Sequence, residues 1–569
     1  MAPSPVEGIK ENSRYLRGNL SEDLSADTTH FEKDHTQLLK FHGTYEQDDR
    51  DVRSELRKEK KELAYSLMVR TAIPGGGITA AQYLMHDRIA QEIANGTLRI
   101  TSRQGFQLHG ILKKDLKGCI QLINECGLST LGACGDIVRN IMAAPSPFTD
   151  PVHTDVQKLA MELRKTFTAK TRGYSEIWLD GESISPPEEE GKEIEPIYGK
   201  LYLPRKFKIV IAVPPRNDVD VFCHDIGIVP YAPQGQVDGY TILVGGGFGM
   251  SHGNKVTHPT LAQPFCYVAP KDVIEAAVTI VKIQRDNGGR EDRKQARLKY
   301  LIRDRGMEWF KEEFLSRIDF SVEEPTKKIE WTTVGDNLGW HEQGDGKLFL
   351  GVWVQDGRIK DENSERYMTG FRKMADEYQF PARLTPNTNI LFYNIEPSQK
   401  SEVEALLSEH GIHGEEGLTE ARKTSQACVA LPTCGQALAE SERAFPPVVD
   451  ALDEILRELN LQDEQLLVRM TGCPNGCARP YNADIAFVGR SPGKYAMFVG
   501  GSHTGDRLAS LEKHTVTEEQ IPGALREYLS EFASNRENGE SFTDYWIRTR
   551  NPGPMDPEQF HVETVKRAK

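Results

Sequence analysis

No stretch of this sequence approaches the roughly 20 consecutive apolar residues that a bilayer-spanning helix requires. The opening residues, MAPSPVEGIKENSRYLRGNL, lack the apolar core of a secretory signal, so a cytoplasmic protein is expected. Excess positive charge is also missing. With 70 Lys and Arg against 84 Asp and Glu, the net charge is −14, which argues against nucleic acid or an anionic membrane as a general partner. A local basic pocket for a small anion remains compatible with that balance. Nucleotide-binding signatures are absent as well. GGGFGMSHGNK (residues 245–255) has neither the G-x-G-x-x-G order nor a helical pattern after it, and there is no Walker lysine motif. It reads as a strand-to-turn connection, and no nucleotide, flavin or NADPH site is expected on this chain. Cysteine is sparse and odd in number, nine in 569 residues, which without an export signal implies reduced thiols or metal ligands and not a disulfide framework.

What is present is ordinary globular material, 38% hydrophobic and 27% charged. The length implies about three or four domains. Residues 1–63 are polar and end in YEQDDRDVRSELRKEKKE, which reads as a solvated helix or as an arm that packs on or recruits a partner. SPPEEEGKEIEP (185–196) reads as an exposed acidic loop. Two echoes recur in the same order along the chain. LRITSRQGFQLHGI (98–111) is matched by ARLTPNTNILFYNI (382–395), and GYTILVGGGFG (239–249) by KYAMFVGGSHTG (494–505). The pattern A, B, A′, B′ describes a duplicated two-part unit, and two such halves commonly form a site where they meet.

Four cysteines fall into two pairs. Cys428 and Cys434 are spaced C-x5-C, and Cys473 and Cys477 are spaced C-x3-C, beginning 39 residues after Cys434. Such a set suits an iron–sulfur cluster or tetrahedral zinc, and unrelated buried cysteines are the third reading. The C-x5-C arm is longer than the usual arms of a structural zinc site, and no histidine lies nearby to complete a mixed one. TGCPNGC follows the apolar LLVRM. Its small residues suit a backbone turning tightly at a strand end, with N–H groups free to donate to sulfur.

The first half carries the cations. Strand periodicity over TLRITSRQGFQLHG places Arg99, Thr101, Arg103, Gly105, Gln107 and His109 on one face, opposite Ile100, Phe106 and Leu108. Two arginines, an amide and an imidazole on one face fit a ligand with several carboxylates, since arginine forks pair with carboxylates and stay charged. A solvent-facing polar surface is the alternative. In YLPRKFKIVIAVPP, Lys206 and Lys208 flank Phe207 and point the same way at the mouth of a buried strand. Two like charges so placed suit an oxyanion, to which they can donate protons as it is reduced, and a solvated strand end is the alternative. Arg70 and Arg139 are embedded in the apolar stretches LMVRTAIPGGG and GDIVRNIMAA, and embedded arginine is seldom left unpaired. His109 and His252 lack metal-ligand spacing.

Together these residues resemble the sulfite and nitrite reductases that carry siroheme coupled to a [4Fe–4S] cluster, in the branch supplied with electrons by NADPH. The resemblance spans nearly the whole chain, through NSRYLRG, FHGTYEQDDRD, IPGG, RQGFQLHGILKK, YLPRKFK, LVGGG, HGNK, TCGQALAESER and TGCPNGC. It implies an α+β fold with pseudo-twofold duplication. The expected parts are an N-terminal arm (1–63), a ferredoxin-like half (64–140), a siroheme- and substrate-binding α/β domain (141–331), a second ferredoxin-like half (332–405) and a cluster-bearing α/β domain (406–569). The two ferredoxin-like halves are expected to combine in one domain.

The resemblance further implies that Cys428, Cys434, Cys473 and Cys477 ligate the cluster, with Cys477 also bridging to the siroheme iron. Arg70, Arg139, Lys206 and Lys208 match the family's anion-binding residues. Arg99, Arg103, Gln107, His109, Arg205 and Asn475 match positions at the siroheme carboxylates or their surroundings. The implied activity is the six-electron reduction of sulfite to sulfide in sulfate assimilation and cysteine biosynthesis. A separate flavoprotein (alpha) subunit that uses NADPH is the implied electron donor in a hetero-oligomer, with the N-terminal arm as its candidate docking element. The chain departs from the family pattern at Thr71-Ala72 and at Arg479-Pro480, neither of which is a matched ligand. A ferredoxin-dependent nitrite reductase of the same fold, and a zinc-stabilised binding module without catalysis, are the competing expectations.

Overall fold

The structure is a computed structural model that describes residues 2–171, 173–174, 178–179, 182–183, 195–552 and 557–561. Two sheets follow the ferredoxin-like order of strand, helix, hairpin and helix. In the first, Tyr65–Arg70 leads through helix Ala80–Glu92 to the hairpin Leu98–Ile100 and Phe106–Ile111, then to helix Leu116–Glu125. In the second, Leu348–Val352 leads through helix Tyr367–Asp376 to the hairpin Ala382–Leu384 and Ile390–Ile395, then to helix Lys400–Glu409. Thr79 starts the first crossover helix with a reciprocal capping box to Gln82, which satisfies two otherwise orphaned N–H groups.

The halves are interlocked at their edges. Arg358–Ile359, from the second half, pairs antiparallel with Leu98–Ile100 and closes the first sheet. Gly77–Ile78, from the first half, pairs with Ala382–Leu384 and closes the second. The crossover helices also meet, with Arg372 Nε 2.6 Å from Asp87 Oδ2. A single apolar core runs through both halves, from Val69, Ile100 and Leu108 to Phe371, Leu384 and Phe392. Exchanging edge strands caps edges that would otherwise present unpaired N–H and C=O groups.

Two mixed sheets repeat one topology. In the first, Met142–Ala143, Ile209–Ile211 and Ile226–Tyr231 are parallel, and Gly239–Val244 and Gln263–Val268 return antiparallel. In the second, Gln426–Ala427, Val468–Thr471 and Ile485–Ser491 are parallel, and Lys494–Val499 and Ser510–Thr517 return. The equivalence reaches single hydrogen bonds. Lys208 N donates to Asp225 Oδ2 at 2.9 Å, and Leu467 N donates to Asp484 Oδ2 at 2.8 Å. Asp220 and Arg479 also correspond. Each has left-handed backbone, φ 54°, before a short 3-10 turn, and the two pair with each other across the repeat at 3.0 Å.

Two expectations are corrected. Residues 98–109 are not one strand: Gln104, at φ 49°, turns the chain, and a Cβ on Gly105 would lie 2.7 Å from Thr71 O. Arg99 still lies opposite Gln107 in the hairpin register, whereas Thr101, Arg103 and Gly105 belong to the turn. Residues 1–63, read as a solvated helix or as an arm that packs on or recruits a partner, are built into the body of the fold. Leu16, Leu38 and Phe41 enter one core and Phe31 and Leu39 another, while Thr44–Asp48 forms an edge strand against Tyr65–Arg70. Only the short helix Arg53–Lys58 is without buried residues, as expected for the charge run. The acidic stretch 185–196 lies outside the described residues except for Glu195 and Pro196. Glu195 is buried, accepting hydrogen bonds from Lys170 N, Thr171 N and Tyr202 Oη.

Candidate functional site

A cavity of about 200 Å³ opens where the first ferredoxin-like sheet faces the strand ends of the two mixed sheets. Its wall brings together Arg70, Arg99, Arg103, Gln107, His109, Arg139, Lys206 and Lys208 with Cys428, Cys434 and Cys477. Cys473 is buried behind the turn that carries Cys477. A smaller cavity adjoins it, lined by Lys206, Lys208, His224, Arg297, Asn475 and Cys477, so Asn475 flanks the main space without lining it. Arg205 lines neither cavity. It lies before strand Ile209–Ile211, and its guanidinium lies 3.8 Å from Asp136.

The cations are held in different ways. With its amide oxygen turned toward the guanidinium, Gln107 accepts from both Nε and Nη2 of Arg70 at 2.6 Å. Arg70 Nη1 contacts Cys134 Sγ at 3.1 Å, and the guanidinium lies over the Tyr45 ring at 5.4 Å. Gln107 is thus committed to Arg70. Arg139 is braced by its own segment, donating from Nε to Gly135 O at 2.9 Å. Arg103 donates to Asn140 O and lies 3.4 Å from His224 Nδ1, and its Nε, like Asn140 Oδ1, is buried without a partner. Burial, followed by Arg139, lowers Arg103 to about 9. An orphaned guanidinium N–H on a residue that lines the cavity fits an anionic ligand group there.

Arg99 is largely satisfied within the protein. It donates to Ala427 O at 2.9 Å and Asp356 O at 3.2 Å, and it pairs with Glu442 at 3.2 Å. Arg358 pairs with the same carboxylate at 2.6 Å. Burial opposes charge on Glu442, but Arg99 and Arg358 outweigh it and hold the carboxyl at about 2. Glu442→Gln leaves two buried guanidinium groups without their counter-charge, an effect of about 3–5 kcal/mol. The unfolding midpoint of the apoprotein in urea is therefore expected to fall. The wild-type contribution is fully present above the unfolded carboxylate value of about 4.3 and is lost as pH falls through about 2. Equal midpoints for the two proteins at neutral pH would remove Glu442 from that role.

Lys206 and Lys208 flank Phe207, which bridges to Val138, and both reach the same two cavities. Burial first, then Arg205 and Lys208, pushes Lys206 well below the usual lysine value. Burial, with Arg103 and Arg297 beside it, brings Lys208 down to about 7. His109 is likewise kept neutral, chiefly by burial.

The cysteines lie on two loops of the second mixed sheet. Cys428 directly follows strand Gln426–Ala427, and TGCPNGC follows Val468–Thr471. Gly472 N donates to Cys428 Sγ at 3.3 Å, Thr471 Oγ1 to Cys473 O at 2.7 Å, and Ser102 Oγ to Cys477 O at 3.0 Å. The glycine loop after strand Gly239–Val244 supports this turn, with Met250 N donating to Pro474 O at 3.0 Å. Burial, then the neighbouring Cys477, raises Cys428 to about 12 and also raises Cys434. Thiols that resist ionising together are held as thiolates when bound to a polycationic centre. Among the described residues, no three Cys, His, Asp or Glu side chains converge as the ligands of one ion do. Four thiolates, one to each corner of a multi-iron cluster, do not require that convergence.

Sequence reasoning missed Gln47, Asn140, Thr388 and Gln426, which also line the main cavity. Gln47 reaches it from the edge strand that the charge run concealed. His252 lies apart, beside His561 in a small cavity behind Pro474.

Two family models match three parts of the chain. "Nitrite/Sulfite reductase ferredoxin-like half domain" covers residues 59–126 and 341–410, and "Nitrite and sulphite reductase 4Fe-4S domain" covers residues 135–321. The latter span ends before the four-cysteine set. The chain is 46% identical over 548 residues to the sulfite reductase [NADPH] hemoprotein beta-component of Geobacillus thermodenitrificans, covering 96% of this chain and 95% of that protein. It is 42% identical over 562 residues to the protein of the same description from Lysinibacillus sphaericus, covering 98% of each. Among solved structures, the Mycobacterium tuberculosis NirA protein superposes with a TM-score of 0.77 at 24% identity, over 96% of this chain and 97% of that one. That likeness shows the shared fold.

Proposed function

The chain belongs to the nitrite and sulphite reductase family, and from that premise we propose that it reduces sulfite to sulfide at a siroheme coupled to a [4Fe–4S] cluster. The observation that carries this reading is one cavity wall that joins Arg70, Arg139, Lys206 and Lys208 to three of the four paired cysteines. When bound, the siroheme and cluster supply the electrons and the iron at which sulfur is held. Cys428, Cys434, Cys473 and Cys477 would hold the cluster, with Cys477 facing the siroheme. Arg103, with its unpartnered Nε, would take a cofactor carboxylate. Arg99 and His109 would stand at the cofactor edge, while Arg205 and Asn475 would act from its surroundings.

The chain's own chemistry is to bind an oxyanion and protonate its leaving oxygens. Arg70, oriented by the Gln107 fork, and Arg139, braced on Gly135 O, offer guanidinium N–H groups to sulfite oxygens. Six electrons and six protons convert hydrogen sulfite to hydrosulfide, with each oxygen leaving as water. Lys206 and Lys208 sit where they can give protons to those oxygens, and a lysine near 7 exchanges protons readily at neutral pH. Electrons would come from a separate flavoprotein that uses NADPH, in a hetero-oligomer. Among the described residues no helix is long and apolar enough to cross a membrane, and a cytoplasmic location is proposed with the activity.

Lys208 provides a signed test. It is charged below about pH 7 and neutral above, and only the charged form attracts the anion. The ratio of KM for sulfite, wild type over Lys208→Arg, is expected to rise by about ten-fold per pH unit above about 7, with the titration of sulfite cancelling between the two proteins. A flat ratio would remove Lys208 from anion binding. Relative turnover of sulfite and nitrite with an artificial electron donor tests the substrate. Faster turnover of nitrite would overturn the assignment to sulfite.

A further inference from the structure

Resting on the reading of Cys434 as a cluster ligand, we propose that Arg50 is the residue that positions its loop. Between Cys428 and Ala439 the chain leaves the sheet and returns to it. Ala430 has left-handed backbone, φ 49°, and the return is anchored where Leu438 N and Ala439 N donate to Gly472 O at 2.8 and 3.1 Å. Inside the loop, Cys434 N donates to Ala430 O at 2.8 Å and Ala437 N to Cys434 O at 3.1 Å. Gly435 and Gln436 are exposed. A cysteine on such a loop needs support from elsewhere to hold its sulfur in place.

Arg50 supplies that support from the turn after the Thr44–Asp48 strand. Its backbone N–H donates to Pro432 O at 3.1 Å. Its guanidinium Nη1 donates to Cys434 O at 3.1 Å and to Ala437 O at 2.8 Å. One residue thereby binds three carbonyls spread across the cysteine and both its flanks. The turn itself is fixed on either side. Arg53 grips Asp48 at 2.6 and 2.5 Å, and Asp51 pairs with Arg443, just past the loop, at 2.6 and 3.1 Å. Planar forks suit this task, because one guanidinium nitrogen can reach two carbonyls in a fixed geometry that an ammonium does not reproduce. The same contact places a permanent cation beside a ligand cysteine, and nearby charge raises the potential at which a cluster takes up an electron.

The test uses the full-length holoprotein with Arg50→Met and Arg50→Lys. Residues that orient metal ligands without touching the metal typically change affinity by about 10–100-fold. Iron release to a ferrous chelator is therefore expected to be at least about ten-fold faster in Arg50→Met. Amide hydrogen exchange within 431–437 is expected to speed up comparably, with the Gly239–Val244 strand unchanged. Arg50→Lys keeps the charge without the double contact, so its cluster potential stays near wild type while its loop exchange is fast. Wild-type iron release and loop exchange in Arg50→Met would overturn the proposal. If the wild type held no iron, the function proposed above would fail, and faster loop exchange in Arg50→Met would still support the positioning role. Should Arg50→Met not accumulate, Arg50→Lys carries the same comparison.

Discussion

The Cys477→Ser protein is expected to fold, to lose coupling between cluster and heme, and to reduce sulfite at least about 10³-fold more slowly than wild type. Cys477 is the exposed thiol of the four, whereas Cys473 is buried, and it alone among them lines both the main cavity and the smaller one beside it. Its carbonyl is fixed by Ser102 from the ferredoxin-like sheet, so its position depends on both parts of the molecule. Serine offers a hard oxygen where a soft thiolate sulfur would hold iron. Folding should survive, because the Cys477 side chain is exposed and enters none of the apolar cores. Visible absorption, iron content and far-ultraviolet circular dichroism separate these effects. Cys126→Ser, away from the cavity, is the control and should keep its iron. A normally coupled, active centre in Cys477→Ser would refute the assignment.

Replacing both lysines, Lys206→Met with Lys208→Met, should lower kcat/KM for sulfite by about 10²–10³ for each cation lost, the range seen when a charge-stabilising donor is removed. Cofactor content should stay near wild type. The apoprotein should be at least as resistant to urea, because burial opposes the charge on both ammonium groups, holding Lys208 near 7 and Lys206 well below its usual value. Activity and stability moving in opposite directions is the behaviour of cations retained for function. Parallel loss of cofactor and activity would make the lysines structural.

What could be read from the sequence divides along physical lines. The four cysteines and the Lys-x-Lys pair could be picked out as candidates because their spacing is local, and one cavity wall carries both lysines and three of the four cysteines; spacing alone left their role open. The duplication was legible because each hairpin repeats an apolar pattern, and the structure places 98–111 and 382–395 in equivalent hairpins. The exchanged edge strands were not, since two residues carry no periodicity and their partners are distant in the chain. Strand alternation also misled where it was extended through a turn, at 101–105, and Arg205, expected at the siroheme carboxylates or their surroundings, lines neither cavity and has its guanidinium 3.8 Å from Asp136. The charge run hid more. YEQDDRD contains Tyr45, Gln47 and Arg50, which face Arg70, the cavity and the cysteine loop in turn. Polar residues that bind a protein interior look the same in sequence as polar residues that bind water. For that reason, deleting residues 1–63 is a poor probe of flavoprotein docking. It removes an edge strand and core side chains together with any partner surface.

The absorption spectrum and iron content of the purified protein test the central claim most directly. Heme-like visible bands with about four non-heme irons per chain are expected from a four-cysteine cluster set facing a heme cavity. A colourless protein, or one holding zinc in place of iron, would contradict the account.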